Sequence, residues 1–170
     1  MKEKKSTMEE IRIDKIILSA GATGDGLVKS KKLLEMLTDG RKAQIIKSNK
    51  RIPDFGVRPG LEVGTRITLR GVTAFETLKR MLAAIENTLS SDNIEENHFS
   101  FGIKEYIEIP GAEYKREIGI RGLNITVVFS RKGLRTKNKK IKKGRIPKKQ
   151  HVSKQEIIKF MEEKFNTQIN

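Results

Sequence analysis

The clearest alternation of apolar and polar positions runs through Val63 to Arg70, where Val63, Thr65, Ile67 and Leu69 interleave with Gly64, Arg66, Thr68 and Arg70. A period of two places the first set on one face of a strand and the second, cationic and hydroxyl-bearing set on the other. The residues just before it cannot form a regular element, because Pro53, Gly56, Pro59 and Gly60 each fix φ or admit positive φ. They predict a shaped loop whose tip is Phe55, Gly56, Val57, Arg58, Pro59 and Gly60, longer than a turn into the next strand requires. Further strands are expected at Ile11–Ser19, at Phe99–Ile103 with an irregular continuation over Tyr106–Ile109, and at Asn124–Ser130, where Val128 implies partial cover on the second face.

Three stretches carry the helical period instead. Leu27, Leu33, Leu34 and Leu37 form a stripe that ends at Asp39-Gly40. Phe75, Leu78, Leu82, Ile85 and Leu89 form a second, with Thr73 and Glu76 spaced as a capping box. Ile157, Met161 and Phe165 form a third, with Ser153 and Glu156 as the box and Val152 stapling to Ile157. The stretch Ser90–His98 lacks periodicity and reads as a polar, acidic loop. Strands and helices interleaved in this way predict an α+β fold. The expected organisation is a charged N-terminal extension over 1–10, an α+β domain over 11–130, and a basic arm with a helix over 131–170 packed on that domain.

Charge then changes the picture from fold to partner. The chain has 36 Lys and Arg against 21 Asp and Glu, a net +15, which points to a polyanion. Eleven of those cations lie between Arg131 and His151 with no acid among them: Arg131, Lys132, Arg135, Lys137, Lys139, Lys140, Lys142, Lys143, Arg145, Lys148 and Lys149. Gly133, Gly144 and Pro147 punctuate this run and a well-specified helix follows it, so it reads as a loop pinned at both ends that grips phosphates rather than as a solvated tail. Lys47, Lys50 and Arg51 flank the proline-glycine loop, and Arg66, Thr68 and Arg70 share a strand face. Together these are the candidate RNA contacts. The opposite pole lies between Glu86 and Glu117, where eight acids face three bases. Its Glu95, Glu96, Glu105, Glu108 and Glu113 are candidates for meeting a basic partner protein.

Other chemistry is poorly supplied. There is no Cys and there are two His, His98 and His151, which excludes disulfides and thiolate metal sites and leaves no zinc cluster. Gly21–Gly26 follows a strand and precedes a helix, but its spacing fits neither the dinucleotide fingerprint nor a P-loop. No nucleophile stands beside a positioned base, so no enzyme is expected. Nor is any helix basic enough for a major groove, which disfavours the alternative of a basic architectural nucleic-acid-binding protein. Absence of Trp and scarcity of aromatics argue for shape and phosphate contacts over base stacking. The first ten residues have no apolar core, so neither a signal peptide nor a membrane partner is expected, and the default address is cytoplasmic.

Six blocks in order then carry a resemblance over nearly the whole chain from Ile11 onward: Ile52-Pro-Asp-Phe-Gly-Val-Arg with Gly60; Thr68-Leu-Arg-Gly71; Phe99-Ser-Phe-Gly-Ile-Lys-Glu105; Ile109-Pro-Gly; Glu117-Ile-Gly-Ile-Arg-Gly122; and Ile146-Pro-Lys-Lys with His151-Val-Ser-Lys-Gln-Glu156. The chain resembles the large-subunit ribosomal protein five family in its archaeal and eukaryotic form. The family usually has Asn, an RNA contact, where Ser19 stands here, and Val-Gly where Ala22-Thr23 stands. The resemblance implies an α+β sandwich related to the ferredoxin-like plait, with an antiparallel or mixed sheet, a basic arm and a C-terminal helix. It implies a ribosomal protein without cofactors that holds 5S rRNA in the central protuberance beside other proteins there and contacts large-subunit rRNA. It also implies that the Phe55–Gly60 tip approaches P-site tRNA and that the protein bridges to a small-subunit ribosomal protein. An architectural role on nucleic acid outside the ribosome is the alternative.

Overall fold

A computed structural model describes residues 8–170, so the expected N-terminal extension lies mostly outside the described residues. In chain order the elements are β1 (Ile11–Gly21), α1 (Asp25–Leu37), β2 (Gln44–Lys47), β3 (Glu62–Leu69), α2 (Val72–Ala83), β4 (Thr88–Leu89), β5 (Ile94–Glu95), β6 (His98–Ile103), β7 (Leu123–Arg131), α3 (Arg135–Asn138), α4 (Lys154–Phe165) and β8 (Gln168–Ile169). The main sheet has six strands in the order β2-β3-β1-β7-β6-β5, antiparallel throughout, and β4 pairs with β8 in a small parallel sheet. The fold is therefore α+β, with β1 and β7 at its centre.

Strand alternation builds one buried face. Ile16, Leu18 and Ala20 of β1, Ile67 and Leu69 of β3, Phe99, Phe101 and Ile103 of β6, and Ile125, Val127 and Phe129 of β7 all enter the core. Leu33, Leu34 and Leu37 of α1 and Leu78, Met81 and Leu82 of α2 join the same core, each at helical spacing. α4 adds Ile157 and Met161, and Phe160 meets Phe129 edge-on at 5.5 Å. The capping box of α4 forms as its sequence predicts: Ser153 Oγ accepts from the Glu156 N–H, and the Glu156 carboxylate accepts from the Ser153 N–H at 3.0 Å. Val152 and Ile157 are both fully buried, as the staple requires.

Several local expectations are corrected. Glu76 does not close a box with Thr73, because α2 starts at Val72 behind Gly71 at φ 69, two residues before a Thr73 cap would start it; Thr73 Oγ1 instead donates to the Arg70 carbonyl and accepts from Arg41. Nor does α2 run on to Leu89. Glu86 and Asn87 turn left-handed at φ 54 and 55, which ends any helix of L-residues, and Leu89 is buried in β4 against the C-terminal strand β8. Ser90–His98 is also more than a loop, since Ile94 is buried in β5 and pairs with Phe99. The continuation past β6 is a tight 3-10 turn over Tyr106–Glu108, not a strand; it buries Tyr106, whose hydroxyl accepts from the Lys115 N–H at 2.9 Å.

Candidate nucleic-acid interface

Three features on one scaffold carry the expected contacts: a hairpin tip, an open sheet face and the basic arm. The hairpin continues past the regular ends of β2 and β3. Ser48 donates to the Leu61 carbonyl and Gly60 to the Ser48 carbonyl, both at 2.8 Å, and Ile52 and Val57 exchange bonds of 2.9 and 3.0 Å nearer the tip. Gly56 and Gly60 sit at φ 62 and 85, where a side chain would be strained. The loop is consequently held in shape by its own backbone. Phe55 stands out at 78% exposure, and Arg58, Pro59 and Gly60 are exposed beside it. Val57 departs from the expected contact set: it is only 7% exposed and serves as the packed base of the tip. Lys50 and Arg51 lie exposed at the foot of the loop, and Lys47 is 3.9 Å from Glu62 across the hairpin.

The second feature is the sheet face away from the helices. Register aligns Gln44, Arg66, Ser19, Asn124 and Gly102 in one row across five strands, and Thr68, Ile17, Thr126 and Ser100 in the next. Arg66, Thr68, Ser100, Gly102 and Asn124 are exposed, as is Arg70 just past β3. Ser19 is half-buried, with its hydroxyl 3.4 Å from the Asn124 carbonyl. Gly102 keeps this surface low, since a Cβ there would stand 3.1 Å from the Asn124 side chain. Hydroxyls and amides that both donate and accept, edged by two guanidiniums, suit ribose and phosphate oxygens. Ser100, Asn124 and Thr126 were not among the expected contacts. Alternation in β6 and β7 already put them opposite the core residues, but only the strand order shows that they continue the row begun by Arg66 and Ser19.

The arm is the third. Arg135, Lys137, Lys139, Lys140, Lys142, Lys143, Arg145, Lys148 and Lys149 are all exposed. Between them α3 and a closing bond from Gly144 N–H to the Thr136 carbonyl give the run a backbone path of its own. Its ends are tied down: Asn97 donates through its N–H to the Val152 carbonyl and accepts from the Val152 N–H on its side chain at 2.8 Å. At the other end Arg131 Nη2 lies 2.8 Å from both oxygens of Glu156, and Nη1 donates to the Glu9 carbonyl. With its side chain 17% exposed and its guanidinium on Glu156, Arg131 ties the root of the arm to α4. Lys132 is likewise engaged, by Glu10.

The acidic residues form two groups, not one. Glu95 and Glu96 sit on the β5–β6 turn, where Glu95 is 3.5 Å from His98 and Glu96 3.8 Å from His151. Glu105, Glu108 and Glu113 lie past the far end of β6, exposed along the loop that crosses toward α1. That loop is anchored by Arg121 Nη1 on Ser30 Oγ and by Lys32 on Glu117 at 3.0 Å; the lysine's hydrogen bond and charge hold the Glu117 carboxyl below its ordinary range. It also exposes Ile107, Tyr114 and Ile120, three apolar side chains that its charge pattern had hidden. Among the described residues no group of three or more His, Cys, Asp and Glu is placed to hold a metal, and no helix is long and apolar enough to cross a membrane.

Comparison with known proteins adds an independent line. Residues 62–160 match the model of the C-terminus of the ribosomal protein L5 family. The chain is 37% identical to the large ribosomal subunit protein uL5 of Nanoarchaeum equitans over 95% of its own length and 97% of the relative's. It is 38% identical to that of Sulfolobus acidocaldarius over 98% and 95%, and 36% identical to that of Methanococcus maripaludis over 97% and 94%.

Proposed function

The chain belongs to the ribosomal protein L5 family, structural proteins of the large ribosomal subunit and not enzymes, and from that premise we propose that it binds 5S rRNA and helps attach it in the central protuberance. The observation that carries the reading is the arm: nine exposed cations without an acid, on a loop whose two ends are fixed to the folded domain. A loop held this way presents charge without the full ordering cost of a free tail. In this reading the arm and the Arg66, Thr68 and Arg70 face hold 5S and neighbouring large-subunit rRNA, with Ser19, Ser100, Asn124 and Thr126 filling in between. Residues 131–170 act as part of the 11–130 domain, not as a separate tail, and the protein works in the cytoplasm as part of the ribosome.

The hairpin tip, through Phe55 and Arg58, reaches P-site tRNA. The exposed loop carrying Glu105, Glu108 and Glu113, with Ile107, Tyr114 and Ile120, offers an apolar centre and acidic rim to a basic small-subunit ribosomal protein at an intersubunit bridge. Glu95 and Glu96 lie nearer the arm and face other central protuberance proteins. The test is competition: 5S rRNA against a DNA duplex of equal charge at several salt concentrations, with incorporation into large subunits measured by co-sedimentation. Preference for 5S rRNA that persists at high salt is expected. Equal binding to the duplex and no incorporation would overturn the proposal.

A further inference from the structure

Where the arm leaves β7 it folds back over the end of the open sheet face and walls a half-open pocket of about 350 Å³. That is within the size range of small-molecule pockets and near its lower limit, too small for a stacked helix and large enough for one base with its sugar. Val128, Leu134 and Ile146 supply apolar wall, which explains why Val128 is half-covered on a face otherwise open. Asn138 and Gln150 supply amides that donate and accept. Ser130, 7% exposed, lies in the same wall, and its hydroxyl has no hydrogen-bond partner among the described residues. Buried polar groups without partners are rare enough to ask what completes them.

The charged lining is mixed, and that decides the ligand class. Lys15, Arg131, Lys132, Lys137 and His151 line the pocket with Asp14, and because Arg131 and Lys132 are engaged by Glu156 and Glu10, Lys15 and Lys137 are the lysines it offers an anion. The β1–β7 register shifts between Ile13 and Lys15, so Asp14 falls at a bulge, a feature that re-aims side chains. A bare phosphate would meet the carboxylate as well as the lysines. A nucleotide does not have that conflict, because an exocyclic amine of its base donates to Asp14 while its phosphates meet lysine.

We propose that this pocket takes a single nucleotide extruded from the bound RNA, with the base between the aliphatic wall and the amides, its exocyclic amine toward Asp14, and its phosphates on Lys15 and Lys137. The inference rests on the RNA-binding reading and adds a base-reading position to a surface otherwise suited to backbone contacts.

The experiment titrates the full chain, followed by amide NMR shifts, with adenosine, cytidine, guanosine and uridine 5′-monophosphates, and with ribose 5-phosphate and inorganic phosphate as controls. At least one of the three amine-bearing nucleotides should shift Asn97, Ser130, Leu134 and Gln150 amides, and an Asn138→Ala/Gln150→Ala protein should bind it at least about fivefold more weakly. Identical shifts from uridine monophosphate, ribose 5-phosphate or phosphate would reduce the cavity to a general anion site and overturn the proposal, as would no shifts at all. In parallel, Leu134→Trp, which fills the cavity, is compared with a lysine-neutralised arm for 5S rRNA binding. Weaker binding by Leu134→Trp at an unchanged salt slope supports the pocket. Unchanged binding by Leu134→Trp beside a weakened arm variant removes the pocket and leaves the RNA reading standing. No effect of either overturns the RNA reading itself and, with it, the extruded nucleotide.

Discussion

Glu156→Gln separates the two tasks that one carboxylate performs at the root of the arm. In the folded protein Glu156 closes the α4 capping box and also takes Arg131 through both of its oxygens at 2.8 Å. Glutamine can still serve the box, which accepts Glu or Gln at that position, but it gives up the charge. Charge-assisted hydrogen bonds contribute about 1.5–3 kcal/mol each, more when screened from water. Side-chain exposures of 17% for Arg131 and 31% for Glu156 place this pair between surface and core. Because glutamine retains one neutral bond, Glu156→Gln should cost roughly 1.5–2 kcal/mol. Ser153→Ala, which removes the cap bond and the serine hydroxyl's 3.2 Å bond to the Glu156 carboxylate but leaves the Arg131 pair in place, should cost about 1–2 kcal/mol.

Urea unfolding at pH 7 measures both. Acid supplies a second check, since burial raises the Glu156 carboxyl but the Ser153 N–H, the Arg131 charge and the hydrogen bonds from Arg131 and Ser153 outweigh it and hold the group below its usual 4.5. A depressed folded value means stability that is present above 4.5 and is lost as pH falls through the folded value. The gap between wild type and Glu156→Gln should therefore narrow on acidification below 4.5. Glu10 and Glu117, also held low by lysine partners, are common to both proteins and cancel in the comparison. An unchanged urea midpoint for Glu156→Gln would show that the ion pair does not hold the arm.

Leu69→Ala, on the buried face of β3, should destabilise the fold by roughly 2–4 kcal/mol in thermal or urea unfolding, while Arg66→Glu, three positions earlier on the open face, should leave unfolding nearly unchanged and weaken 5S rRNA binding. Equal behaviour of the two in both assays would show that the faces are misassigned. Gly122→Ala should cost about 1–3 kcal/mol, because the added Cβ would stand 2.7 Å from the backbone carbonyl oxygens of Ile103 and Lys104; wild-type stability would contradict that packing. Phe55→Ala with Arg58→Ala, both exposed on a tip held by its own backbone, should preserve folding and 5S rRNA affinity and reduce P-site tRNA occupancy on reconstituted ribosomes. Loss of 5S rRNA affinity would put the tip on ribosomal RNA instead.

What could be read in advance follows the range over which each signal acts. Alternation in β1, β3, β6 and β7 and the Ser153–Glu156 box are set by neighbours within one turn or two pleats, and all are found in the structure. The missed features depend on residues far along the chain. β4 exists because Thr88 and Leu89 meet Gln168 and Ile169, and the Arg131 ion pair forms because α4 returns Glu156 to it. Val57 reads as a contact residue by its place in a proline-glycine loop, whereas the Ile52 pairing folds it inward. Lysines of the arm are exposed wherever the run is placed, so the charge was legible without the fold. The row from Arg66 through Ser19 to Asn124 was not, since it exists only once β1 lies between β3 and β7.

The central claim, that the pinned arm grips RNA phosphates, is tested most directly by the salt dependence of 5S rRNA binding. Log K is measured against log salt for the wild-type protein and for one in which Lys137, Lys139, Lys140 and Lys142 are alanine. If all four meet phosphates, binding weakens and the slope falls by about 3, at roughly 0.7–0.9 per lost contact, while the unfolding midpoint stays in place. A variant with the wild-type slope would mean that these exposed lysines only solvate the surface, and the arm would have no part in holding RNA.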